Sequence, residues 1–153
     1  NAWLITDMMK DVILRGTARR ARDLGRNDLA GKTGTTNDQF DAWFSGFNAN
    51  LVATAWVGFD QAASLGAGEE GGRTALPIWV NFMREALRDT PEARLRMPDG
   101  LVTVRISPVT GKLAGPDDSG AIFETFMEGH LPEPQDPFER DDREKARKDD
   151  PLF

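Results

Sequence analysis

The chain contains no cysteine, no tyrosine and a single histidine in 153 residues. Without cysteine there is no disulfide, no thiolate metal site and no thiol nucleophile, and either redox compartment suits it. One histidine, His130, set where prolines begin to accumulate, gives little basis for a Ser-His-Asp triad or a histidine metal cluster. No apolar run is long enough for a signal peptide or a membrane span. Basic residues are outnumbered, 19 Lys and Arg against 25 Asp and Glu, and the net charge of −6 argues against broad nucleic-acid binding. The sequence opens at Asn1 and enters a helical pattern almost at once, so a fragment of a longer polypeptide is expected.

What is present is enough for one domain with a filled core, including four tryptophans and nine phenylalanines. Residues 2–15 read as a helix, with Leu4, Met8, Val12 and Ile5, Met9, Ile13 at helical spacing and Gly16 as its stop. Residues 17–26 are rich in arginine: a solvated loop, or a cationic rim beside a site for anionic ligands. Leu29 to Thr35 reads as a strand. Ala42 to Phe47 and Leu51 to Phe59 alternate at period two around a turn at Asn48-Ala49-Asn50. A Gly- and Glu-rich loop, Leu65 to Gly72, leads to a helix from about Thr74 to Leu87. Thr74 is its expected cap, and Pro77 falls in its first turn. The pattern predicts an α+β fold, a three-stranded antiparallel meander covered by helices. Trp43, Phe44, Trp56 and Trp79 read as core packing. Beyond Pro91, Leu101 to Ile106 alternates ahead of a Pro108 to Gly111 turn, which suggests a small β appendage. The expected divisions are 1–90, 91–131 and a proline-rich, charged tail at 132–153 that is expected to be mobile and includes the charged run Glu139 to Asp150.

The most informative stretch is Gly31-Lys32-Thr33-Gly34-Thr35-Thr36. A phosphate-binding loop would need a glycine at position 26, which is Arg26, and a helix after the lysine, where this chain alternates instead. A lone Lys-Thr-Gly triplet recurs by chance, but its surroundings are ordered. A helix, Gly16-Thr17-Ala18 and a basic stretch precede it. Asp41-Ala42-Trp43-Phe44, Trp56-Val57-Gly58-Phe59-Asp60 and Pro77-Ile78-Trp79 follow it. In this order the residues from Asn1 to Leu87 resemble the C-terminal part of the transpeptidase domain of bacterial class A penicillin-binding proteins. A looser likeness continues through Met97-Pro98-Asp99-Gly100 and Thr110-Gly111-Lys112 to about Pro134. The Ser-x-x-Lys and Ser-x-Asn elements of such sites are missing: none of Ser45, Ser64, Ser107 and Ser119 has a lysine three residues later.

The resemblance implies a serine-type D-Ala-D-Ala transpeptidase in a protein that also carries a glycosyltransferase domain. The transpeptidase nucleophile would lie on a companion segment absent from this chain, so the expected fold is incomplete here. Lys32 and Thr35 are the expected catalytic residues, and Thr33, Gly34, Thr35 and Thr36 the expected substrate-binding residues. Thr33 and Thr35, two apart on a strand, can turn two hydroxyls toward one carboxylate. Gly34 leaves the strand edge bare, and the Thr35 N–H is one implied oxyanion donor. Lys32 is the implied fixed charge facing the missing Ser-x-Asn serine. Thr36 and Asn37 could border the substrate path, and Asp41 orients a nearby loop or forms a turn. The implied partners are peptidoglycan stem peptides, the lipid-linked precursor and β-lactam antibiotics, with no cofactor and no metal. The implied location is the periplasmic side of the inner membrane. A serine β-lactamase and a non-catalytic peptidoglycan-binding remnant are the alternatives.

Overall fold

The computed structural model describes residues 1–93 and 95–135, and the charged run Glu139 to Asp150 lies outside them. The described chain divides into two compact units, one spanning Asn1–Met97 and a second beginning at Pro98.

The first unit opens with helix α1, Ala2–Leu14. Of its two apolar rows only Ile13 is fully buried, while Ile5 and Met8 are more than half exposed. The helix closes on Arg15, not on a left-handed glycine: the Arg15 and Gly16 N–H groups both donate to the Asp11 carbonyl at 2.9 Å. The arginine-rich stretch is not a plain loop. Arg19–Leu24 forms a 3-10 helix that buries Ala21 and ends on Gly25 at φ 66°. Small residues at 18 and 21, both fully buried, let this turn lie close to the core while its arginines point outward.

Strands β1 (Ala30–Thr35), β2 (Asp41–Phe47) and β3 (Val52–Gly58) form an antiparallel sheet in sequence order, so among the described residues one edge of β1 has no strand partner. The register pairs Thr33 with Phe44 and Thr35 with Ala42, and Trp43 with Trp56. The Asn48 side chain holds the β2–β3 turn by accepting from the Asn50 and Leu51 N–H groups at 2.9 Å.

Period-two alternation puts Ala42, Phe44 and Gly46 on the face covered by helix α2, Ala75–Ala86. Leu76, Trp79, Val80 and Met83 of α2 fill that core. Phe44 and Trp79 meet edge to face with ring centroids 4.9 Å apart. Burying each ring contributes roughly 4–6 kcal/mol as an upper bound. Gly46 is required here, because a Cβ would sit 2.6 Å from the Trp79 ring. The same alternation corrects the expectation that all four aromatics are core. Trp43 and Trp56 lie on the opposite face, 41% and 43% exposed, and pack against each other with rings tilted by 42° and centroids 6.0 Å apart. Thr74 precedes α2 but does not cap it with its side chain; its hydroxyl donates to the Glu69 carboxylate instead.

In the second unit, β4 (Leu101–Ile106) pairs antiparallel with β5 (Ile122–Met127). The Thr103 and Thr125 hydroxyls bond across the pair at 3.0 Å. Leu113 bridges Ile106 on one side and Pro134 on the other, so residues 133–135 join this small β unit through Leu113 N–H to Glu133 and Gln135 N–H to Leu113.

Candidate active site

The Lys-Thr-Gly segment occupies β1, and Thr33 and Thr35 share one face of that strand, as the register requires. Their hydroxyls meet different partners. Thr33 Oγ1 lies 2.9 Å from Thr17 Oγ1, on the segment between α1 and the 3-10 helix. Thr35 Oγ1 accepts the Gly71 N–H at 3.0 Å. Gly71 crosses tightly over β1 and β2: a Cβ there would strike the Trp43 carbonyl oxygen and lie 2.5 Å from that of Gly34. Gly72 continues along the same face beside Thr17 and Thr33.

Backbone direction follows from the next residue. The Thr36 N–H donates to the Asp41 carbonyl at 3.1 Å, on the β2 side. In an antiparallel ladder adjacent residues point to opposite sides, so the Thr35 N–H turns to the open edge. The same alternation sends the Thr33 carbonyl to that edge. There the exposed Lys32 ammonium donates to it at 2.9 Å and to Thr33 Oγ1 at 3.3 Å. A cation, an outward-turned N–H and two hydroxyls are therefore gathered on and beside a strand edge that pairs with no other strand among the described residues. Thr36 turns its hydroxyl into the following loop, where it accepts the Asp41 N–H at 2.8 Å. Asp41 in turn accepts from the Trp56 indole at 2.8 Å. Between them, Asp38 and Gln39 adopt φ of 57° and 53°, and Ser64 and Leu65 tie this loop to the 60s segment.

At the other end of β1 a buried ion pair anchors the strand. The Asp28 side chain is fully buried and takes Arg26 Nε at 2.9 Å and Nη2 at 2.7 Å. It also accepts from Asn48 Nδ2 and the Ala93 N–H, each at 3.2 Å, and Arg26 donates to the Thr90 carbonyl at 2.7 Å. Burial pushes the Asp28 carboxyl up, but the Arg26 hydrogen bonds, the Ala93 N–H, the Arg26 charge and Asn48 outweigh it and hold the carboxyl below its ordinary value. Arg26 is raised above its own, first by the hydrogen bonds to Asp28. This knot joins the β1 entry, the β2–β3 turn and the segment after α2.

No family model matches the chain. Over 131 residues it is 53% identical to penicillin-binding protein 1A of Pseudomonas aeruginosa, a match covering 86% of this chain and 16% of that protein. It is 51% identical over 102 residues to penicillin-binding protein 1A of Neisseria lactamica, covering 67% and 13%. The crystal structure of penicillin-binding protein 1A from Haemophilus influenzae superposes with a TM-score of 0.77 at 40% identity, over 86% of this chain and 20% of that one. The chain is homologous to a segment of the penicillin-binding protein 1A transpeptidase domain. It spans a fifth or less of the length of these relatives.

The fold is that of penicillin-binding protein transpeptidase domains, an antiparallel sheet with covering helices, present here in part. Among the described residues no helix is long and apolar enough to cross a membrane. Within this segment, three groups around β1 escape a linear reading: Thr17, the Gly71 N–H and the Asp28 knot. Gly71 and Thr35 are far apart in sequence, as are Asp28 and Ala93, and no periodicity links them. Thr17 stood within the Gly16-Thr17-Ala18 triplet, but nothing in the sequence pairs it with Thr33.

Proposed function

We propose that this segment supplies the Lys-Thr-Gly strand of a D,D-transpeptidase site that cross-links peptidoglycan stem peptides by acyl-serine transfer. The observation that carries the reading is the open edge of β1, where the Lys32 ammonium, the outward Thr35 N–H and the paired faces of Thr33 and Thr35 converge.

In this mechanism the terminal carboxylate of a D-Ala-D-Ala peptide accepts hydrogen bonds from the Thr33 and Thr35 hydroxyls. Gly34 leaves room for the peptide backbone to align along β1. A serine on a companion segment attacks the penultimate carbonyl carbon, and its lysine neighbour takes the hydroxyl proton. The Thr35 N–H and the serine's own N–H receive the developing oxyanion. D-Ala departs as the amine, the acyl-serine remains, and a neighbouring stem-peptide amine then displaces the serine. A β-lactam enters the same path and leaves a stable acyl-serine. Lys32 keeps the cleft positive and faces the serine of the companion Ser-x-Asn triplet. Thr36 borders the site while its hydroxyl holds the loop to Asp41. The whole protein would join this domain to a glycosyltransferase that uses the lipid-linked precursor, with the domain on the periplasmic side of the inner membrane.

The test is pre-steady-state acylation of the full-length protein by a labelled penicillin. Lys32→Ala should nearly abolish acylation with an unchanged melt, while Lys32→Arg, which keeps the charge but presents a bulkier planar head, should retain a measurable part. Parental acylation by Lys32→Ala, or failure through unfolding alone, would make Lys32 structural and remove the proposal. Rapid turnover of penicillin by the parent protein would instead favour a β-lactamase-type hydrolase.

A further inference from the structure

We infer that Thr17 is a positioning residue for the carboxylate site: its hydroxyl orients that of Thr33 so that the Thr33 proton is presented to an anionic ligand. This deepens the transpeptidase proposal and rests on it.

A hydroxyl has one proton to donate and two lone pairs to accept with. Thr33 Oγ1 is approached by the Lys32 ammonium at 3.3 Å, and an ammonium can only donate. It is also 2.9 Å from Thr17 Oγ1, where either oxygen can be the donor. When Thr17 donates, both acceptor positions of Thr33 are filled and its own proton is left over. When Thr33 donates, the spare proton sits on Thr17. An anion arriving at Thr33 selects the first arrangement, because only that one points a proton at it. The same logic already holds at Thr35, whose oxygen accepts the Gly71 N–H at 3.0 Å and keeps its proton for a further acceptor. Thr33 and Thr35 are then two preset donors on one strand face, suited to the two oxygens of a single carboxylate.

Thr17 is held for this task by its neighbours. Ala18 is fully buried and its N–H bonds the Val12 carbonyl at 2.9 Å, which fixes the backbone just after Thr17. Gly72 packs against the Thr17 carbonyl, where a Cβ would be 2.6 Å away, and lies beside the Thr33 methyl. The Thr17 residue itself stays exposed, so its hydroxyl is not a core group satisfying a buried neighbour.

The experiment uses the full-length protein and two probes, a labelled penicillin acid and its methyl ester, with acylation followed in the pre-steady state. Thr17→Val removes the hydroxyl at nearly constant volume. It should weaken the reversible binding step of the acid about ten-fold, leave the ester within about two-fold, and leave the covalent step little changed. Thr17→Ser should restore the acid. On a Thr33→Ala background, Thr17→Val should add nothing. Should Thr17→Val lower the melting temperature, Thr17→Ala removes the same hydroxyl with less bulk and is read in the same way. Equal losses for acid and ester, or no rescue by serine in a protein with the parental melt, would overturn the role of Thr17. If Thr33→Ala discriminates acid from ester and Thr17→Val does not, the Thr17 inference alone fails. If neither discriminates, the carboxylate reading beneath it fails as well.

Discussion

Replacing Asp28 by alanine should loosen the base of the candidate site more than its distance from Lys32 suggests. The substitution removes the acceptor of four hydrogen bonds, two from Arg26 and one each from Asn48 and the Ala93 N–H. It leaves the Arg26 guanidinium, 12% exposed, hydrogen-bonded among the described residues to the backbone carbonyls of Thr90 and Pro91, with the Glu92 charge as its remaining electrostatic counterpart. Breaking a buried pair on one side costs about 3–5 kcal/mol, a large part of the roughly 5–15 kcal/mol that holds a domain together. In a multidomain protein the natural readout is local, by amide hydrogen exchange. The Ala93 N–H and the Asn50 and Leu51 N–H groups held by Asn48 should lose protection by about a hundred-fold to several thousand-fold. Replacing the pair together, Arg26→Met with Asp28→Leu, should recover most of it, because no uncompensated charge remains. The pH dependence has a definite sign. The folded Asp28 pKa lies below the unfolded value near 3.9, so its contribution is complete above that pH and is lost as pH falls through the folded pKa. Asp28→Ala should lack this acid-side loss. A change in protection under ten-fold at Ala93, or an acid dependence identical to the parent, would refute the reasoning.

Gly71→Ala should force the loop off β1, break the N–H bond to Thr35, and slow acylation by penicillin at least ten-fold in the full-length protein; a parental rate would mean that Gly71 does not set the Thr35 hydroxyl. Trp79→Ala should cost about 3–5 kcal/mol by hydrogen exchange in β2 and α2, whereas Trp43→Ala, on the half-exposed face, should cost well under half as much; comparable losses would contradict the assignment of faces. Truncation after Pro137 should leave acylation unchanged, and a large loss would show that the tail docks on the domain.

Local pattern carried the sheet and both helices of the first unit. Alternation at Ala42 to Phe47 and Leu51 to Phe59 and the stripe Leu76, Trp79, Val80, Met83 are each set by which residues must face the core, and the elements follow within a residue or so. The same alternation separates Trp43 from Phe44, since adjacent strand residues face opposite sides, and parity decides burial here where aromatic character alone does not. The 3-10 helix was hidden because its burial rests on two alanines among arginines, too weak a signal against the surrounding charge. Strand β5 was missed for a different reason: Ile122, Phe123, Phe126 and Met127 are spaced as on a helix, and only pairing with β4 makes the segment a strand. At the site, Thr33 and Thr35 on one face were readable from strand geometry. Thr17, Gly71 and Asp28 were not, because each acts through a contact that only the closed chain creates. On sequence alone the first region ends near residue 90. In the structure Arg26 and Asp28 hold residues 90–93 to the sheet, and the first unit runs to Met97.

The most direct measurement is a crystal structure of the full-length protein acylated by a carboxylate-bearing β-lactam. The account predicts the adduct lying along the open edge of β1, its carboxylate within about 3 Å of both the Thr33 and Thr35 hydroxyls and its acyl oxygen at the Thr35 N–H. A covalent adduct whose carboxylate and acyl oxygen both lie away from β1 would contradict the claim that this strand is the substrate-binding edge.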